Sequence, residues 1–316
     1  MKRLLARAGL ILVTTLFFGC AQNYYNIPRE TYEKKVRVLG VAPIMVDAAS
    51  DIKHPEKEQL VSVIGTANRL AEKDLVARLK DTGVYFSVGL LDDGADQLFS
   101  RLFFRRERRD DAGIVYNKYF YKNAELKELM AKNTLDAVML VVVSGLTSPE
   151  KVYSSNYFSY LQGDYNHLIV TAQILDADGN ILWEYPNFRA RKLSFTPLFA
   201  LQYPDFDEAE ANATDVVEVK FKTIPGITRA FGKKETSPVL SNLQVPLPYV
   251  PVLDDMVSML GPEKRLFGSD KKQEKKTEKT PEAAPEPKPE AKPVDVKTEE
   301  IKPATVAPDT GAPGGK

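Results

Sequence analysis

The sequence predicts an α/β (α+β) fold: a single mixed β-sheet with helices packed on it, followed by a disordered tail rich in Pro, Lys and Glu. Three observations carry this. Apolar residues change period along residues 35–235 in the order β-α-β-α-β-β-β-α, which one sheet with helices on its faces satisfies. Leu135–Leu146 (LDAVMLVVVSGL) is a near-continuous apolar run, the pattern of a central strand covered on both sides. From Lys271 to the end there is no aromatic residue. Such a segment buries too little apolar surface to offset the entropy of ordering it.

The elements follow in chain order. Residues 1–19 carry Lys2, Arg3 and Arg7 and then the apolar stretch Leu10–Phe18, and the only cysteine of the chain, Cys20, comes after Gly19. This is the layout of a bacterial lipoprotein signal, cleaved before a cysteine whose thiol carries lipid. Residues 20–34 read as a lipidated, polar tether. Lys35–Met45 alternates β-branched residues up to Pro43 and reads as the first strand. Pro55 and Glu56 open a helix marked by Leu60, Ile64, Ala67, Ala71, Leu75 and Leu79, and Gly83 closes it. Val84–Leu90 is the second strand.

Residues 92–122 read as an insertion. Arg101, Arg105, Arg106, Arg108 and Arg109 lie among Leu102, Phe103 and Phe104, a candidate surface for anions or an acidic partner. The alternative is a solvated loop whose charges pair with Glu107, Asp110 and Asp111. Glu125–Asn133 is a short helix and 135–146 the central strand. Residues 147–164 read as a Tyr- and Ser-rich loop in which Tyr153, Tyr157, Phe158, Tyr160 and Tyr165 form a candidate contact surface. Leu168–Leu175 and Ile181–Tyr185 are strands joined by the turn Asp176–Asn180. Ala209, Ala213, Val216, Val217 and Phe221 mark a helix ended near Pro225. Residues 236–268 are a Pro-rich strap across the domain, and 269–316 the disordered tail.

Chemistry-bearing patterns are sparse. His54 and His167 stand alone, and Ser144 lacks the flanking glycines of a nucleophile elbow. Gly226–Lys233 misses phosphate-loop spacing. Asp92, Asp93 and Asp96 are the carboxylates on which a rival hydrolase or glycan-binding enzyme would rest. Lys+Arg and Asp+Glu are both 43, so nothing points to nucleic acid. The sequence calls for no catalytic residue, no cofactor and no metal site.

KVRVLGVAPIM, the helix RLAEKDLVARLKDTG, the strand LDAVMLVVVSG and ILDADGNILWE occur in this order. In this the chain resembles the periplasmic domain shared by CsgG-like (curli-secretion) lipoproteins, penicillin-binding-protein activator lipoproteins and the N-terminal domain of the Tol-system propeller protein. Asp136, the Asp176–Gly179 turn and Trp183 stand at the places of that pattern, over residues 35–222. The resemblance implies an envelope scaffold or assembly factor without catalysis, with partners among envelope proteins and peptidoglycan. Ala21 after Cys20 implies the periplasmic face of the outer membrane. A further alternative is an oligomeric export channel, in which 149–165 and 186–204 correspond to membrane hairpins. Segment 149–165 lacks the alternation such strands require.

Overall fold

The computed structural model describes residues 23–261, except 112, 156, 191–195 and 204–219. The expected signal peptide, Cys20, most of the helix expected at 209–221 and the expected tail lie outside the described residues. The chain forms an α+β fold, with six α-helices and a mixed seven-stranded sheet among the described residues.

The sheet is built on β6 (Ala137–Tyr153) and β7 (Tyr160–Leu175). Beside β6 lie β1 (Val38–Val41) and β2 (Met45–Val46), both parallel to it, and outside β1 lies β3 (Ser87–Leu90). The single strand expected at 35–45 is therefore two segments on one flank of β6, interrupted around Pro43, which has no N–H for the ladder. On the other side β7 pairs antiparallel with β8 (Ile181–Tyr185) and with β9 (Phe199–Ala200). The turn between β7 and β8 forms as its sequence requires. Gly179 takes φ +79°, and Asp176 Oδ1 accepts from the N–H groups of Asp178 and Asn180.

Alternation along β6 divides the core. Met139, Val141 and Val143 join one apolar cluster with Leu60, Ile64, Leu75 and Leu79 of α2 (Lys57–Asp81). The same cluster takes in Ile227 and Phe231 of α5 (Ile224–Gly232) and Val252, Leu253 and Met256 of α6 (Val250–Ser258). Val138, Leu140 and Val142 face the other cluster. Leu98 and Leu102 of α3 (Ala95–Leu102), Leu126, Leu129 and Met130 of α4 (Asn123–Asn133), and Tyr119 and Tyr121 fill it. Trp183 is fully buried in the first cluster.

Three expectations change. The segment taken as a polar tether is ordered from its tyrosines onward. Tyr25 bridges to Trp183, and Tyr32 lies buried in α1 (Arg29–Lys35), its hydroxyl 2.8 Å from that of Tyr85. Burial pushes the Tyr25 hydroxyl up to about 12, with Arg29 opposing and Glu33 adding to the rise. Pro225, expected to end a helix, sits in the first turn of α5, where Thr223 Oγ1 accepts from Gly226 N. The strap pairs β11 (Gln244–Pro246) with β10 (Lys234–Thr236) and then forms α6. Its Tyr249, Val252 and Met256 are core residues. Pro251 hid this helix by standing in its first turn.

Candidate functional site

The long hairpin is the most distinctive element. β6 and β7 stay in register from Val138↔Leu175 to Tyr153↔Tyr160, so the Tyr/Ser-rich loop expected at 147–164 is mostly strand. Along β7, Leu161, Gly163 and Tyr165 are buried while Gln162 and Asp164 are exposed, a two-residue alternation that the notion of a loop missed. Pro149 concealed it. Met139 O and Val143 O accept from Ala42 N and Asp47 N on the β1–β2 side. Odd positions of β6 therefore turn their backbone groups away from β7. Pro149 is also odd, so its missing N–H costs the β6–β7 ladder nothing.

Beyond β2 the same flank of β6 is covered by side chains. Gly145 N donates to Ser50 Oγ at 2.8 Å and Thr147 N to Asp51 Oδ2 at 3.1 Å. The backbone comes so close that a Cβ on Gly145 would lie 2.3 Å from Asp51 O. Only glycine fits there.

The hairpin ends in an aromatic tip. Ser154 N donates to Ser159 O, Tyr157 N donates to Ser154 O, and Tyr157 takes φ +62° in the turn. Phe158 is 91% exposed and Tyr157 78%, and Tyr153 and Tyr160 are about half-exposed. The Tyr153 ring lies 6.1 Å from that of Tyr157 and 5.7 Å from that of Tyr160, and Lys151 Nζ sits 4.5 Å above the Tyr160 ring. Four of the five expected contact residues are thus brought together on the surface. Tyr165, the fifth aromatic of that stretch, is buried instead.

The arginine cluster is dispersed. Residues 92–122 form α3 and an antiparallel arm of β4 (Phe103–Asp111) and β5 (Ile114–Tyr121), not an irregular insertion. Pleating sends neighbouring arginines opposite ways. Arg106 pairs with Asp47, which is buried and also accepts from Tyr119 OH at 2.9 Å. Burial, with the Asp47 charge adding to it, drives the Tyr119 hydroxyl far above its ordinary value. Arg108 donates to Thr147 O at 3.0 Å. Arg105 and Arg109 share Glu107, and Arg105 lies 4.2 Å over the Phe120 ring. Arg101 belongs to α3, with Nε and Nη2 buried and without a partner. Four of the five arginines are thus held by groups of the protein, and no common anion-binding face results. Only Glu107 of the three acids expected to neutralise them does so. Asp47, far off in sequence, takes Arg106.

β5 also borders a narrow crevice with Thr171, Gln173 and Glu184. Lys118 Nζ and Glu184 Oε2 lie 2.8 Å apart there, while Thr171 Oγ1 and Gln173 Oε1 are buried without partners. Sequence spacing gave no sign of this pairing, which joins residues 66 positions apart.

No family model matches this sequence, and no curated protein matches it. Among solved structures the chain is similar to the PelC dodecamer from Paraburkholderia phytofirmans, in two crystal forms, one of them of a point variant. In both the identity is 12%, the TM-score 0.22, and the match covers 48% of this chain and 68% of that one.

The remaining candidates are apart from each other. Asp92 and Asp96 are exposed and Asp93 partly so, in the turn and first helical residues after β3, and none of them lines the crevice. His54 Nε2 meets Lys222 O at 2.9 Å and its Nδ1 accepts from Glu56 N. His167 Nε2 is 2.6 Å from Glu150 Oε1, without hydrogen-bond geometry. Among the described residues no group of three or more His, Cys, Asp or Glu side chains converges to hold a metal ion. In the same residues no helix is long and apolar enough to cross a membrane. Asp136 Oδ2 accepts from Arg37 N and Val38 N at 2.9 and 2.8 Å, fixing the start of β1.

Proposed function

We propose that this chain is a lipoprotein of the periplasmic face of the outer membrane, anchored through Cys20. In this reading it is a non-enzymatic scaffold or assembly and secretion accessory factor that docks an envelope protein through its aromatic tip. The tip carries the reading: four exposed aromatic side chains at the end of a sixteen-pair ladder. Tyr and Phe give large contact area at low entropic cost, with polar ends that tolerate water when unbound.

Reach favours a protein partner over lipid at the tip. The chain enters the sheet at Tyr25, beside Trp183 and thus level with Ile174. Tyr160 lies fourteen residues further along β7, roughly 45 Å at about 3.3 Å per residue. The few residues between Cys20 and Tyr25 span at most about 18 Å. With the sheet upright on its anchor, the tip meets the periplasm. Past Thr147 the hairpin offers six pairs, fewer than the about 9–11 residues of a membrane-spanning strand, which weighs against the export channel.

Two measurements test the proposal. Cys20→Ser should abolish incorporation of labelled palmitate and release the protein from the membrane fraction. Unchanged labelling rejects the anchor. A photoreactive residue at position 158 in intact cells should give discrete protein adducts that vanish when Tyr153, Tyr157 and Tyr160 are changed to Ser. Adducts to lipid alone would assign the tip to the membrane instead.

A further inference from the structure

The two edges of the sheet differ. At the β8 edge the chain's own N-terminal segment covers the strand, through the Tyr25–Trp183 bridge and Asn26 N donating to Leu182 O at 2.9 Å. At the other edge β3 pairs, among the described residues, only with β1. Although β3 is short, it lacks two of the usual protections of an edge: residues 84–91 (VYFSVGLL) contain no charge and no proline. Phe86 is 79% exposed and Leu90 39%.

We propose that β3 pairs antiparallel with β3 of a second copy, about a two-fold axis through Val88, joining two sheets into one. Backbone direction supports this register. Ser87 N donates to Arg37 O and Leu91 N to Val41 O, so odd positions face β1. Val88 and Leu90 therefore turn N–H and C=O outward, as does the Phe86 carbonyl, which shares a peptide with Ser87 N. In the Val88-centred register Val88 exchanges two hydrogen bonds with its symmetry mate. Leu90 N–H reaches Phe86 O of the second copy, and the reverse. Side chains fit the same register. Phe86 and Leu90, both exposed and on one face with Val88, come opposite each other, and Ser87 comes opposite Gly89. No like charges meet: Val84 faces Asp92. Other registers lose one of these matches. The contact is short and below the area of a tight interface, so the dimer is concentration-dependent. Confinement to a membrane would strengthen it. This inference stands independently of the proposed function.

The test uses the lipid-free full chain carrying Cys20→Ser. Ser87→Cys with Gly89→Cys places cysteines opposite one another in the pair where the Cβ atoms come closest, and a Cβ at Gly89 meets open space. Mild oxidation should give a covalent dimer, whereas Phe104→Cys, exposed elsewhere, should not. Sedimentation of the parent should show a dimer fraction that rises with concentration. Phe86→Lys with Leu90→Lys should weaken it by about tenfold or more, because like charges then crowd the pairing, without altering the circular dichroism spectrum. A parent monomeric at every concentration, or a cysteine pair that stays monomeric on oxidation, overturns the proposal. Should the lysine variant fail to fold, the cysteine pair decides alone.

Discussion

Arg106 and Arg109 are three residues apart, yet one is structural and the other is not. Arg106 is the cation opposing Asp47, which is 1% exposed. Removing one member of such a pair leaves an uncompensated buried charge. Arg106→Ser should therefore cost about 3 kcal/mol in urea unfolding. Arg109 is half-exposed and shares Glu107 with Arg105, so Arg109→Ser should stay within about 0.5 kcal/mol of the parent. Equal effects would contradict the pleat. Asp176 gives a pH test. Burial alone would raise its carboxyl. The hydrogen bonds from Lys35 and Asn180 outweigh this and hold it below the usual Asp value. A lowered folded-state value means stability that is present above the ordinary Asp range and lost as pH falls through the folded value. Asp176→Asn should thus be less stable than the parent near neutral pH, and the gap should close on acidification below about pH 4. The side chain of Lys35 is 46% exposed, so added salt should narrow the gap too.

At the scale of elements, the hairpin and the arm behave differently. The tip residues are half to nearly fully exposed, so changing Tyr153, Tyr157, Phe158 and Tyr160 together to Ser should leave the melting temperature nearly unchanged. A large fall would mean the tip packs on the domain. Gly145→Ala should instead destabilise by about 1–3 kcal/mol or more, since backbone stands where the methyl must go. What was legible in the sequence follows from locality. The α2 stripe, the start of β6 and the Asp176–Asn180 turn are each determined by near neighbours, and the structure places them close to where the sequence does. The arm escaped because charged residues fill β4 on both faces, which hides a two-residue period. β6 was cut short because Pro149 is harmful only on a side where its N–H is needed. The four tip aromatics were legible as a group because they are close in sequence. Asp47 was not, because its partner Arg106 is 59 positions away.

For the whole molecule, the segment after Gly232 belongs to the core. A stop codon in place of Val250 removes Val252, Leu253 and Met256 from the main cluster and should abolish cooperative unfolding. A stop after Gly268 should leave the melting temperature of the domain unchanged. Loss of stability in the second case would show that the tail docks. The two points where the chain joins the domain are also side by side. Tyr25 OH donates to Leu260 O at 3.0 Å and Arg29 Nη2 to Gly261 O at 2.9 Å. This clasp sets the mechanics of the protein. Were the N-terminal end held by a lipid and the C-terminal end pulled from elsewhere, tension would cross Tyr25, Arg29 and the end of α6 and touch the sheet only at its β8 edge. The clasp should rupture at low force and peel α6 away, while β6 and β7, outside the load path, keep their pairing. The domain is in this sense a side arm on a loaded line, and its hairpin should stay presented under strain.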